Sequence, residues 1–154
     1  MVYLLLALVI LIVEFYLKHR IIKDERLPRY IWGGWLLLRR HDNYGLAFGQ
    51  LKQHPWLPKL LVSLVIAVFL VYTLPWLLGG EITPLPGLAL GLLYGGGLSN
   101  LLDRYIRGYV VDYFSFIKAR WPRMRRLVFN LADICIFLGM LLMLVYICLN
   151  WQQA

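Results

Sequence analysis

Four stretches of this 154-residue chain are long and apolar enough to cross a hydrocarbon core, and this constrains the fold more than any other feature. A spanning helix needs about 17 to 25 mostly apolar residues; Met1–Leu17, Leu60–Leu78, Pro84–Tyr105 and Leu127–Leu149 meet that need. Leu60–Leu78 runs nineteen residues without a charge, whereas Met1–Leu17 sits at the short end and contains Glu14. Backbone groups in lipid must satisfy one another, so all four windows are expected to be helical. Met1–Leu17 is read as a retained helix rather than a cleaved signal peptide. No basic residue precedes the apolar run, and it runs out into Glu14-Phe15-Tyr16-Leu17-Lys18 instead of small residues.

Charge sharpens the layout. The chain carries 16 Lys and Arg against 8 Asp and Glu, a formal net charge of +8. Every basic residue falls in Lys18–Lys59 or Arg104–Arg126. With four crossings, those two connections share one side of the membrane and the termini share the other. Because this charge flanks the spans, nucleic acid is a poor partner; anionic phospholipid headgroups, worth about 1 kcal/mol per basic residue, are a better one. Cys135 and Cys148 lie thirteen residues apart in one window, too far along a helix to pair within it, and are read as membrane-core residues with no metal pattern.

The connections have their own texture. Arg29–Leu38 is aromatic and apolar and Arg39–Asn43 polar, which fits strand-like structure grazing the membrane with tryptophans at the interface. His54-Pro55-Trp56-Leu57-Pro58 breaks the chain before the second helix. Tyr109–Phe114 is β-branched and aromatic, as in a short extended segment. Trp121–Arg126 is a basic interfacial stretch, and a short turn around Glu81 joins the second and third helices. Gly87, Gly91 and Gly95 recur every four residues, a spacing that lets helix backbones approach; Gly95–Gly97 also reads as a kink.

Polar groups inside membrane segments are costly and therefore informative. Asn130 and Asp133, three apart, share a helical face ahead of the apolar Ile134–Leu138; a helix-start carboxylate favoured by the macrodipole is the plainer alternative. Asn100, Asp103 and Arg104 crowd the end of the third helix, where Asp103 also has Arg107 four residues on. Asp112 lies between Val110-Val111 and Tyr113-Phe114, and on a period-two strand it could simply face water. Acids from separate segments near one boundary point to a shared site, in which two close carboxylates hold one proton between them. His19, His41 and His54 all fall in the first connection and form no metal-ligand or triad pattern.

These residues resemble a known family, the lipoprotein signal peptidases (signal peptidase II). Asn43-Tyr44-Gly45-Leu46-Ala47-Phe48 is similar to its Asn-x-Gly-x-Ala-Phe motif, and Gly96-Gly97-Leu98-Ser99-Asn100-Leu101-Leu102-Asp103-Arg104 to its Gly-Gly-x-x-Asn-x-x-Asp-Arg segment. Gly108–Tyr113 and Phe129–Asp133 look like its two aspartate motifs. The resemblance runs along nearly the whole chain. It implies an all-α membrane fold of four transmembrane helices with a small β-cradle on the membrane surface. It also implies a single peptidase domain over residues 1–154, with helices near 1–17, 60–78, 84–105 and 127–149 and connections at 18–59 and 106–126.

The implied activity is aspartyl cleavage of a prolipoprotein signal peptide before a diacylglyceryl-modified cysteine. Asp112 and Asp133 would be the catalytic dyad, with Asn43, Gly45, Asn100, Arg104 and Asn130 around it. The substrate would enter laterally between helices; no metal or cofactor is implied, and a monomer is expected. Three positions depart from the pattern: Glu14 replaces an aspartate and Phe15 a glutamine ahead of Lys18, Ser99 stands where glycine is usual, and Asp42 stands where histidine is common.

Orientation sets two rules against each other. The positive-inside rule puts the basic connections in the cytoplasm; the family resemblance puts them, and the dyad, on the extracytoplasmic face of a bacterial inner membrane, with cytoplasmic termini. The reading adopted follows the family. Two other functions remain: a non-catalytic protein that binds lipidated peptides, for which a carboxylate pair is unnecessary, and a small proton- or ion-conducting subunit, for which an inverted repeat is missing.

Overall fold

Hydropathy places the helices. In the computed structural model, which describes residues 2–45, 51, 53–54, 56–79, 83–120 and 124–151, α1 (Val2–Lys23), α2 (Trp56–Gly79), α3 (Pro84–Ile106) and α4 (Leu131–Asn150) cover the four apolar windows. Each is long and apolar enough to span a membrane. The expected turn at Glu81, the Leu46–Phe48 part of the Asn43 motif, Pro55 in the break before α2 and the Trp121–Arg123 start of the basic stretch lie outside the described residues.

The helix α3 is the least apolar span, with mean hydropathy 1.3 against 2.0–2.5 for the others, yet 56% of its window is buried against 11–22%. Its position explains this. It packs between α1 and α4 and meets α2 as well, so its side chains face protein while the apolar residues of α2 and α4 face lipid. Close approach of α3 and α4 is built into glycines on both helices. A Cβ at Gly96 would lie 2.5 Å from the Ala132 carbonyl oxygen of α4, and one at Gly139 would lie 2.9 Å from the Ala89 carbonyl oxygen. The helix α3 continues through Gly95–Gly97 without a break.

Several boundaries differ from the hydropathy reading. The helix α1 continues past Leu17 to Lys23, because Lys18 is buried in the bundle while Arg20 and Lys23 turn outward beyond the hydrocarbon. The helix α2 starts at Trp56 rather than Leu60, with Pro58 in its first turn, where a missing N–H costs nothing. The helix α4 starts at Leu131 rather than Leu127, because Asn130 caps it: its side chain accepts from the Asp133 N–H while the Asp133 side chain accepts from the Asn130 N–H. Phe129, ahead of the cap, pairs with Phe114 in an isolated bridge.

The two long connections build one antiparallel sheet in the order β1 (Arg29–Ile31), β2 (Leu36–Asn43), β3 (Val110–Phe116). The turn between β1 and β2 contains Gly34 at φ +83°, a left-handed position that suits glycine. Trp32 and Trp35 stand exposed there. The β2–β3 pairing sets His41 opposite Asp112 and Asn43 opposite Val110, across a register shift between Leu38 and His41. Pairing strands from both connections holds both at one end of the bundle.

Candidate active site

Asn43, Gly45, Asn100, Arg104, Asp112, Asn130 and Asp133 converge where β3, the end of β2 and the start of α4 meet the end of α3. Asp112 on β3 is buried, and its two carboxylate oxygens accept from two amides. Asn130 Nδ2 donates to Oδ1 at 2.7 Å and Asn43 Nδ2 to Oδ2 at 3.1 Å. Asp133, on the first turn of α4, accepts from Asn100 Nδ2 at 2.8 Å and from the Asn130 N–H at 3.1 Å. The amides also join each other, since Asn130 Nδ2 lies 3.1 Å from Asn100 Oδ1. Asp133 therefore both caps α4 and joins the amide network that holds Asp112.

Electrostatics separates these acids from an ordinary surface pair. Burial, and then the negative charge of Asp133, push the Asp112 carboxyl up to about 7 from an ordinary 3.8. The amides of Asn43 and Asn130 pull the other way without cancelling this. Burial likewise pushes the Tyr113 phenol up. Arg104 is buried within electrostatic reach of Asp112 and Asp133, and donates to the carbonyls of Asn100 at 3.0 Å and Gly45 at 3.1 Å. Gly45 N–H in turn donates to Asn43 Oδ1 at 3.0 Å, which leaves Asn43 Nδ2 to face Asp112.

Behind this site lies a layer that sequence reasoning did not assign. Lys18 is fully buried and donates to Ser99 Oγ at 3.2 Å and Asn100 Oδ1 at 2.9 Å, and it pairs with Asp103 at 3.0 Å. A lysine only donates, so it turns the Asn100 oxygen toward itself and the Asn100 amide nitrogen toward Asp133. Asp103 also pairs with Arg107, as the four-residue spacing anticipates, and accepts from the Val111 N–H at 3.1 Å. Glu14 accepts from the Ala132 N–H and, at 3.0 Å, from the Tyr113 hydroxyl, which itself accepts from the Leu131 N–H. Glu14, Tyr113 and Asn130 thus satisfy the first three N–H groups of α4, which a helix cannot pair internally. The sequence signal for this layer is Glu14 and Lys18 four apart in an apolar helix, a spacing that puts both on one face.

Two of the departures from the family pattern fall in this layer. Ser99 supplies a hydroxyl to Lys18, and the longer Glu14 side chain spans to both Tyr113 and α4. Asp42 turns away from the acids to pair with Arg40 at 2.9 Å.

The chain has close likenesses. The sequence profile of one family, described as signal peptidase (SPase) II, matches residues 6–149. A lipoprotein signal peptidase of Syntrophomonas wolfei subsp. wolfei is 37% identical over 128 residues, covering 83% of this chain and 78% of the relative. One from Halothermothrix orenii is 35% identical over 156 residues, covering 99% and 97%. Among solved structures, one bacterial membrane enzyme superposes with a TM-score of 0.79 at 20% identity, covering 99% of this chain and 90% of the other. A second gives 0.75 at 23%, covering 95% and 92%.

Proposed function

The chain belongs to the signal peptidase II family, and on that premise we propose that Asp112 and Asp133 are the dyad with which it cuts its substrates. It is a lipoprotein signal peptidase, an aspartic endopeptidase of a bacterial membrane that removes the signal peptides of prolipoproteins. Residues 1–154 act as one membrane-embedded peptidase domain, working as a monomer. The bond cut is the one before the diacylglyceryl-modified cysteine.

The observation that carries the dyad is the amide bridge: Asn130 holds Asp112 and Asn100 holds Asp133, while the two asparagines bond to each other. Amides fix carboxylates without neutralising them, so the pair keeps one proton to share near neutral pH. That single proton is what peptide hydrolysis needs. The ionised carboxylate takes a proton from water as its oxygen bonds to the scissile carbonyl carbon. The protonated partner gives its proton to the carbonyl oxygen, and a gem-diol forms. The first carboxyl then protonates the amide nitrogen, the C–N bond breaks, and a gem-diol hydroxyl returns its proton to the second. One proton is left on the pair, as at the start. Arg104 and Gly45 hold the rim beside Asn43, where a substrate backbone would lie.

Lateral entry has a physical route. An apolar cleft of about 580 Å³ lies between α2 and α4 with α3 behind it, lined among others by Val65, Phe69, Gly97, Ile136 and Met140. Gly97 is one helical turn from Asn100, so acyl chains seated there would remain in lipid while the cysteine reaches the dyad. The site faces the extracytoplasmic side and both termini face the cytoplasm. A reporter fused to the C-terminus tests this, and a translocated C-terminus overturns it.

Purified protein in detergent, given a diacylglyceryl-cysteine signal peptide, tests the dyad. Wild type is expected to cut before the modified cysteine, and Asp112→Asn and Asp133→Asn each to lose at least about a thousandfold in kcat/KM. Cleavage by either variant at the wild-type rate removes that residue from the dyad.

A further inference from the structure

Where α1 leaves the hydrocarbon, its last two turns, the Asp24–Arg29 segment and the sheet enclose a second cleft, of about 750 Å³. Its floor is apolar: Leu17 and Ile21 of α1, Leu38 of β2 and Tyr113 of β3. Its rim is cationic: Arg20, Lys23, Arg26 and Arg29. Successive strand residues point to opposite faces, so a cleft floored by Tyr113 backs onto the face turned away from Asp112. This is therefore a separate site from the dyad.

The charges in the rim are not balanced. Asp24 and Glu25 also line the cleft, two carboxylates against four cations. Asp24 is engaged with Arg26 at 3.2 Å and Arg29 at 3.7 Å. Among the described residues, no ion pair involves Arg20 or Lys23, which are both exposed. The cleft also continues into the bilayer. Tyr16 lines its edge, and Ile12, Val9 and Leu5 follow on the same face of α1 at spacings of four, three and four. All four are exposed: Tyr16 59%, Ile12 56%, Val9 48% and Leu5 61%.

We propose that this cleft binds one anionic phospholipid, its phosphate held by Arg20 and Lys23 with Arg26 and Arg29 beside them, and its acyl chains lying along the Tyr16–Leu5 track. An amphipathic ligand matches both halves of the site. A free anion would leave the apolar floor and track uncovered, and a neutral lipid would leave the cationic excess uncompensated. Multiple cations converging at the membrane surface are the usual recognition chemistry for anionic headgroups.

Native mass spectrometry of the full chain in a neutral detergent tests this, with phosphatidylglycerol, phosphatidylcholine or inorganic phosphate added. Wild type is expected to bind phosphatidylglycerol about tenfold more tightly than phosphatidylcholine. The Arg20→Gln/Lys23→Gln double variant is expected to lose most of that tenfold preference, with phosphatidylcholine binding unchanged. A Lys118→Gln/Arg125→Gln control removes the same charge elsewhere in the basic connections and is expected to stay within about twofold of wild type. The single variants Arg20→Gln and Lys23→Gln carry the test if the double variant loses its fold. Equal loss in variant and control reduces the effect to diffuse attraction and overturns the proposal. So does the absence of any preference for phosphatidylglycerol, or inorganic phosphate binding as tightly as the lipid.

Discussion

Asp103 and Asp112 lie nine residues apart, both 2–3% exposed, and are held in opposite ways. Asp103 meets two cations, Lys18 and Arg107, and a backbone N–H. Asp112 meets two side-chain amides and the charge of a second acid. A carboxylate ringed by cations has its charge compensated and serves to fasten helices together. One ringed by neutral amides is fixed in place but left short of a counter-charge, so it competes for a proton. Burial is common to both; the partners decide which one is left to compete for a proton.

The largest expected effects come from exchanging these roles. Asp112→Asn is expected to abolish cleavage, at least about a thousandfold, while moving the thermal unfolding midpoint in detergent little. Asp103→Asn is expected to do the reverse, costing about 3–5 kcal/mol of stability because it strands Lys18 in the bundle. Loss of cleavage by Asp103→Asn with unchanged unfolding would break the comparison. Lys18→Met is the next smaller step. It leaves Asp103 with Arg107 but frees the Asn100 amide to turn, so a kcat decrease of about ten- to a hundredfold with little change in KM is expected.

A pH series sharpens the contrast at lower amplitude. Folded Asp112 holds its proton to about pH 7, against an ordinary 3.8 when unfolded. Between those values the folded chain binds more protons than the unfolded one, so stability falls as pH rises through that window. The unfolding midpoint is expected to drop by a few degrees, about 3–6 °C, between pH 5 and pH 8. Asp112→Asn should flatten the drop, and a variant that kept the full slope would assign it elsewhere. Cleavage is expected to decline above pH 7 as the shared proton is lost. The smallest effect expected is from Glu14→Gln, about 1–2 kcal/mol, since the amide oxygen still accepts one of the two donors that Glu14 now serves.

How much of this was legible in the sequence depends on which force sets each feature. The spans were legible because lipid selects on hydropathy alone, and the end of α1 was not, because helix continues past the hydrocarbon wherever side chains find other partners. The strand character of Tyr109–Phe114 was legible in its β-branched and aromatic residues; its pairing with β2 was not, because register is a tertiary property. Asn130 and Asp133 were visible as helix-face neighbours, yet the cap they form moves the helix start to Leu131. Asn100, Asp112, Asn130 and Asp133 stood out as polar groups in or beside apolar segments, whereas preferring Asp112 and Asp133 over Asp103 as the proposed dyad rested on motif resemblance. The roles of Lys18 and Glu14 were hidden because a charge near the end of an apolar helix looks the same whether it snorkels outward or turns into the bundle.

The pairing of β2 with β3 has a consequence in time as well as space. Two whole membrane spans separate Asn43 from Asp112, Asp133 follows at the start of the last helix, and the strand that carries Asp112 closes onto a strand made some seventy residues earlier. A chain emerging from the ribosome has no carboxylate pair until its last helix begins, and its sheet waits for two intervening spans to insert. With the dyad proposed above, the hydrolytic centre is assembled last, and a half-made copy in a membrane full of substrates has nothing with which to cut them.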